Sequence, residues 1–233
     1  MGDAKLSPTP QPSPLKGRGG KSYAVKECFL TLQGEGVQAG SRAVFLRFAG
    51  CNLWSGREAD RASATCNFCD TDFVGTDGPG GGKFADAETL AAKADEIWGA
   101  GKVERLVVIT GGEPMLQLDG ALIDALHHRG FRVAVESNGT IAAVDAIDWL
   151  CISPKAGSEW VQRRGDELKL VWPQPGIDPA ELEQWDFAHF LVQPMDCTDR
   201  EASQFAVEEA VSLAMARPRW RLTLQTHKVV GLP

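Results

Sequence analysis

Three cysteines, Cys51, Cys66 and Cys69, stand with fourteen residues and then two residues between them. Thiolates are soft donors that suit zinc or iron–sulfur clusters rather than hard cations. A structural zinc site normally closes its tetrahedron with four ligands, often as paired C-x2-C units, and this stretch carries a single such unit. The chain's histidines, His127, His128, His189 and His227, all lie far from it in sequence. A distant residue completing a zinc site stays open as one reading. A cluster of four irons asks for one ligand per iron, so three thiolates would leave one iron free as a docking position for a second substrate.

Such a loop needs walls to hold it, and the strand ends supply candidates. β-formers alternate from Tyr23 to Leu32 before a glycine-punctuated turn, and Ala43 to Gly50 reads as a second strand. The cysteine stretch follows as a long loop, and GTDGPGGGK at 75–83 reads as a flexible surface excursion. Asp86 is placed to cap a helix with Leu90, Ala91, Ala94, Ile97 and Trp98 on one face, ended by Gly99 and Gly101. RLVVIT is a short apolar run of the kind buried on both faces of a sheet. Leu118, Leu122, Ile123 and Leu126 mark a second helix stopped by Gly130, and residues 200–216 mark a third. FRVAVES, WLCIS, ELKLVW, HFLVQP and RLTLQT read as further strands. This alternation predicts an α/β fold with a mainly parallel sheet and right-handed crossovers. Polar groups gather where the strands end: Thr110 to Pro114, Glu136 to Gly139, Ser153 to Lys155, Gln193 to Asp196 and Gln225 to Lys228. In α/β folds these ends share one rim, where chemistry is assembled.

Composition limits what that chemistry acts on. The 233 residues are 43% hydrophobic and 24% charged, enough for one domain with a substantial core. The net charge of -7 disfavours nucleic acid and anionic lipid as partners. With no long apolar run and no secretory pattern, the expectation is a soluble, cytoplasmic protein without membrane contact. Six cysteines in that setting point to thiol, metal or catalytic roles rather than a disulfide framework. Residues 1–21 carry four prolines and no apolar period, reading as a flexible leader or tag before a single domain at 22–233.

The triad together with Thr110-Gly111-Gly112-Glu113-Pro114 after a strand resembles the radical S-adenosylmethionine (SAM) superfamily. There three cysteines hold a [4Fe-4S] cluster and SAM chelates the fourth iron. The usual spacing is C-x3-C-x2-C, from which this chain departs. Gln33-Gly34-Glu35-Gly36, Arg47, Cys69-Asp70-Thr71, Ser153-Pro154-Lys155 and Gln225-Thr226-His227-Lys228 narrow the likeness to the 7-carboxy-7-deazaguanine synthases, some of which carry C-x14-C-x2-C. The resemblance runs from about residue 22 to the last residue. It implies an abbreviated, partial TIM-like barrel with about six mainly parallel strands and reduced helices. It also implies a homodimer, a reductant such as flavodoxin, and a ring contraction of 6-carboxy-5,6,7,8-tetrahydropterin with loss of ammonia.

Residue by residue, the resemblance places the cluster on Cys51, Cys66 and Cys69 and a Mg2+ ion on Thr71. Leu32, Gln33, Gly34, Glu35, Arg47, Thr110, His227 and Pro233 fall to the pterin substrate. An arginine pairs with a carboxylate bidentately, which suits Arg47 to the substrate's carboxyl group. SAM falls to Gly112, Glu113, Ser137, Ser153, Pro154, Lys155, Gln193, Pro194, Met195 and Asp196, with the glycines expected to let backbone approach its methionine end. Cys28 and Cys151 read as buried thiols, Cys197 as a packing residue, and His127 and His128 as late-helix residues. Two other readings remain: a different radical SAM enzyme such as a glycyl-radical activase, and a zinc-stabilised binding module.

Overall fold

A computed structural model describes residues 21–233; apart from Lys21, the expected leader at 1–21 lies outside the described residues. One sheet holds nine strands: β1 (Tyr23–Leu32), β2 (Arg42–Phe48), β3 (Gly82–Phe84), β4 (Leu106–Gly111), β5 (Arg132–Ser137), β6 (Trp149–Ile152), β7 (Arg164–Trp172), β8 (Asp186–Pro194) and β9 (Trp220–Leu222). Their spatial order is β3-β1-β2-β4-β5-β6-β7-β8-β9, an open series whose two edges do not pair. β1 runs antiparallel to β2 and β3, and every pairing from β2 to β9 is parallel. Six parallel strands of four residues or more are thus joined by the three-residue β9. The architecture is the expected α/β partial barrel, widened at one edge by an antiparallel hairpin.

The helices are α1 (Ala87–Trp98), α2 (Gly120–His128), α3 (Pro179–Leu182), α4 (Arg200–Ala216) and α5 (Thr226–Val230). Asp86, Asp119 and Asp199 each accept a backbone N–H in the first turn of α1, α2 and α4, satisfying donors that a helix start otherwise leaves open. α1 ends at Gly99, whose φ of 85° is a left-handed value that glycine takes without a Cβ penalty.

Alternation along the strands decides what each face of the sheet holds. Val107 and Ile109 of β4, Val133 and Val135 of β5, and Leu168 and Leu170 of β7 join Leu90, Leu122, Ile123 and Leu126 in the main core under the helices. The residues between them face the other side, where Ala43, Leu106, Val108 and Ala134 form a small second cluster. Because successive side chains point oppositely, Glu136 shares the face of Ala134, and Glu167 and Lys169 share the face opposite Leu168 and Leu170. All three sit towards the inside of the partial barrel. Glu167 and Lys169 are buried, a costly placement that demands partners.

Two expectations are corrected. Residues 75–83 are not a free excursion: Gly82–Phe84 pairs with Tyr23–Val25, Cys28 N–H donates to Pro79 O, and Gly78 N–H donates to Lys26 O. The glycines permit this, since a Cβ on Gly80 would lie 2.2 Å from the Cys28 carbonyl oxygen. The last strand is shorter than RLTLQT suggested. It ends at Leu222, and Thr226–Val230 forms α5.

Candidate active site

The C-terminal strand ends and the cysteine loop enclose a cavity of about 350 Å³. Cys51, Cys66 and Cys69 line it, all with free thiols. The fourteen-residue spacer is ordered by its own contacts, including a 3-10 helix at Glu58–Ser63. Arg61 lies over the Trp54 ring at 4.1 Å and donates to the carbonyl oxygens of Asn67 and Cys69, both at 3.0 Å. Trp54 in turn packs edge-on against Phe73 at 5.6 Å. The insertion therefore acts as a clasp on the Cys66–Cys69 turn. A hydrogen bond from Cys66 holds the Cys69 thiol down to about 6, and the same bond, then burial, push Cys66 up. Burial raises Cys51.

The glycine stretch after β4 braces the first cysteine. A Cβ on Gly112 would lie 2.2 Å from the Gly50 carbonyl oxygen and 2.6 Å from Cys51 Cβ, and Glu113 N–H donates to that same oxygen at 3.0 Å. The close approach expected for a ligand is here made first by the cysteine arm. Glu113 does not line the cavity. Fully buried, it accepts from Met115 N, Ser137 Oγ and Asn138 N, at 2.9, 2.9 and 2.8 Å. Burial pushes its carboxyl up, and the residue works as a keystone behind Ser137. Pro154 is likewise off the cavity wall, its carbonyl facing Gln174 Nε2.

Ser137, Ser153, Lys155 and Gln193 to Asp196 do line the cavity. Lys155 Nζ donates to Ser153 O and Oγ, both at 2.7 Å, and burial lowers its pKa. Gln193 is 4% exposed, and its Oε1 has no hydrogen-bond partner. A buried acceptor of this kind on a cavity wall suits a ligand N–H.

The opposite wall comes from the β1–β2 hairpin. Leu32, Gln33, Gly34, Glu35 and Arg47 line it, with Thr110 and Gly112 from β4 and its following loop. A register shift between Val25 and Glu27 puts Lys26 at a bulge, where its Nζ reaches Val74 O, Asp72 and Asp77. Beyond the bulge Glu27 faces Arg47, and its Oε1 accepts from Arg47 Nε at 2.7 Å. That leaves the planar end of the guanidinium for a carboxylate.

Gln225 to Pro233 ties three walls together. Thr226 N–H donates to Gly34 O at 2.9 Å and Gln225 Nε2 to Glu35 Oε1 at 2.8 Å. Lys228 Nζ reaches Asp70 and Asp196 at 2.8 and 2.5 Å. His227 packs over Gly34, where a Cβ would lie 1.9 Å from its Nδ1. Thr71 and Pro233 also line the cavity, and Thr71 Oγ1 is 3.5 Å from Asp70 Oδ1.

Several cavity residues were not singled out for a role from the sequence, Lys169, Glu27 and Lys228 among them. The signal for Lys169 was a charged residue between two leucines in the strand ELKLVW. Away from the cavity, Cys28 and Cys151 are buried, and His127 pairs with Asp148 at 2.7 Å in the last turn of α2.

An open, mainly parallel partial barrel with three thiols and a glycine-braced strand end at its rim is the architecture of the radical SAM superfamily, whose family model matches residues 60–165. The match takes in Cys66 and Cys69 and begins after Cys51. The crystal structure of QueE from Escherichia coli superposes with a TM-score of 0.62 at 25% identity, over 88% of this chain and 95% of that one. The 7-carboxy-7-deazaguanine synthase of Caulobacter vibrioides is 60% identical over 212 residues, 91% of this chain and all of its own length. That of Bradyrhizobium diazoefficiens is 58% identical over 211 residues, 91% of this chain and 99% of its own. The chain belongs to the 7-carboxy-7-deazaguanine synthase family.

Proposed function

We propose that this protein converts 6-carboxy-5,6,7,8-tetrahydropterin into 7-carboxy-7-deazaguanine and ammonia, a carbon–nitrogen lyase step of deazapurine and queuosine biosynthesis. The observation that carries the reading is that the three thiols, the Gln33–Glu35 turn, Arg47, Thr110 and His227 line one cavity. Three thiols on one cavity wall suit a [4Fe-4S] cluster with one iron left for SAM.

When bound, the reduced cluster and SAM would supply the radical chemistry of hydrogen-atom abstraction. The chain's own residues position and shield. Cys51, Cys66 and Cys69 hold the cluster; Gly112, Ser137, Ser153, Lys155 and the Gln193–Asp196 stretch receive SAM, with Glu113 and Pro154 supporting from behind. Leu32, Gln33, Gly34, Glu35, Thr110 and His227 surround the pterin, Arg47 pairs with its carboxylate, and Pro233 borders the same space. Thr71, on the cavity wall, would offer its hydroxyl to a Mg2+ ion, a hard cation suited to oxygen donors. A one-electron donor such as flavodoxin, a homodimeric assembly and a cytoplasmic setting complete the proposal on family grounds. Among the described residues no helix is long and apolar enough to cross a membrane.

Anaerobic reconstitution should load about four irons per chain. The loaded enzyme with SAM, Mg2+, a reductant and the carboxypterin should then release 7-carboxy-7-deazaguanine and ammonia. A fully loaded protein that makes neither product overturns the assignment, and a chain that takes zinc and no iron favours the binding-module reading.

A further inference from the structure

At the floor of the cavity four residues, Gln33, Glu35, Glu136 and Lys169, close a ring that includes the Glu35 backbone N–H. Gln33 Nε2 donates to Glu136 Oε1 at 2.8 Å, Lys169 Nζ donates to Glu136 Oε2 at 3.0 Å and also to Glu35 Oε2, and Glu35 N–H returns to Gln33 Oε1 at 3.1 Å. Gln225 Nε2 donates to the remaining oxygen of Glu35. Lys169 is 4% exposed and is the cation bonded to both carboxylates. Each carboxylate oxygen already accepts one hydrogen bond and keeps acceptor capacity for a second. A floor of two carboxylates and one ammonium carries a residual negative charge, so it favours a ligand edge of N–H donors and disfavours carbonyl oxygens.

Resting on the carboxypterin reading above, we propose that Lys169 is a positioning residue that holds the Glu35 and Glu136 carboxylates side by side on one ammonium, so that this floor selects a substrate edge rich in N–H donors. The surroundings fit the role. Burial alone would lower Lys169, but Glu136 and Glu35 outweigh it and hold the ammonium well above its ordinary range. Burial alone would raise Glu35, but Lys169 outweighs it and holds that carboxyl low. The other charged or titratable groups acting on the ring are Glu167 on β7, Cys151 on β6, Lys155 after β6 and Asp70 in the cysteine loop. Of these, Glu167 and Cys151 are raised by burial, which leaves Lys169 as the counter-charge bonded to the pair.

Without Lys169, two adjacent, partly buried carboxylates lose the counter-charge they share, and their repulsion favours one of them taking up a proton towards the neutral range. That proton removes an acceptor the substrate needs. The test is the equilibrium Kd of the carboxypterin on reconstituted enzyme, measured anaerobically by calorimetry without reductant, from about pH 6 to about pH 8.5. The ratio of variant to wild-type Kd cancels the titration of the substrate itself. For Lys169→Met this ratio should rise as pH falls, by up to about tenfold per unit, while the Kd for SAM matches wild type. Glu136→Gln combined with Lys169→Met removes one carboxylate with the cation and should return the ratio to a flat profile.

A flat ratio for Lys169→Met in a wild type that binds overturns this inference alone. So does a slope that survives in the double variant. If the single variant fails to fold, a folded double variant with a flat profile supports the inference, and a double variant that also fails overturns it. A wild type that does not bind the carboxypterin at any pH overturns the functional reading and this inference with it.

Discussion

Gly112→Ala tests whether the glycine after β4 is there to seat the first cysteine. The new Cβ would stand 2.2 Å from the Gly50 carbonyl oxygen and 2.6 Å from both Gly50 C and Cys51 Cβ. Carbon–oxygen contacts settle near ~3.3 Å, so the Gly50–Cys51 arm must retreat by about 1 Å. Overpacking of this kind costs about 1–3 kcal/mol. Loss of the Glu113 N–H to Gly50 O bond adds about 1 kcal/mol. The iron-free variant should therefore melt about 5–15 °C below wild type in a thermal scan. Displaced thiolate should also lower iron and sulfide content after anaerobic reconstitution. Turnover per cluster should drop about 10²-fold, because an ångström of misplacement spoils alignment for reaction. Gly120→Ala is the control: nothing stands within 4 Å of its Cβ position, and it should melt no lower than wild type. A Gly112→Ala protein that melts with wild type and loads full iron would refute the bracing argument.

Other consequences are open to direct measurement. Asp119→Ala removes the α2 cap and the partner of the buried Tyr23 hydroxyl at once, so urea unfolding should show a loss of about 2 kcal/mol with turnover per folded enzyme retained. Arg61→Met frees the carbonyls of Asn67 and Cys69 from the exposed clasp; cluster absorbance should then decay faster under a chelator, with little change in melting. Burial raises the Cys28 thiol to about 12. Folding thus favours its protonated form, and the contribution is whole below the ordinary thiol range near ~8.5 and lost as pH climbs towards 12. Cys28→Ala should flatten that alkaline decline in stability, whatever it costs at neutral pH.

The frame was legible wherever local chemistry and burial agree. Asp86 before an apolar face, with Gly99 behind it, marks a helix because cap, stripe and stop all follow from neighbours in sequence. RLVVIT could be read as doubly covered because both of its alternating sets are apolar. β3 was hidden because three glycines carry no period. Its pairing depends on the edge of β1, which lies more than fifty residues earlier. The cavity was legible by strand ends, and the roles of single residues much less so. Glu113 and Gly112 belong to a motif that suggests ligand contact, but Glu113 is enclosed by two backbone N–H groups and the Ser137 hydroxyl, while Gly112 lines the cavity and is also packed against the cysteine arm. Lys169 sits mid-strand among leucines, and only the curvature of the sheet brings it to carboxylates from β5 and the hairpin loop.

The strand order follows the chain almost without interruption from β2 to β9, while the segment that ties the cavity walls together is made after all of these strands. Neighbouring elements can therefore add one after another as the polypeptide leaves the ribosome, without threading. The three thiols are synthesised more than 150 residues before Gln225 and Lys228. During translation they wait on a nascent sheet that still lacks its fastening.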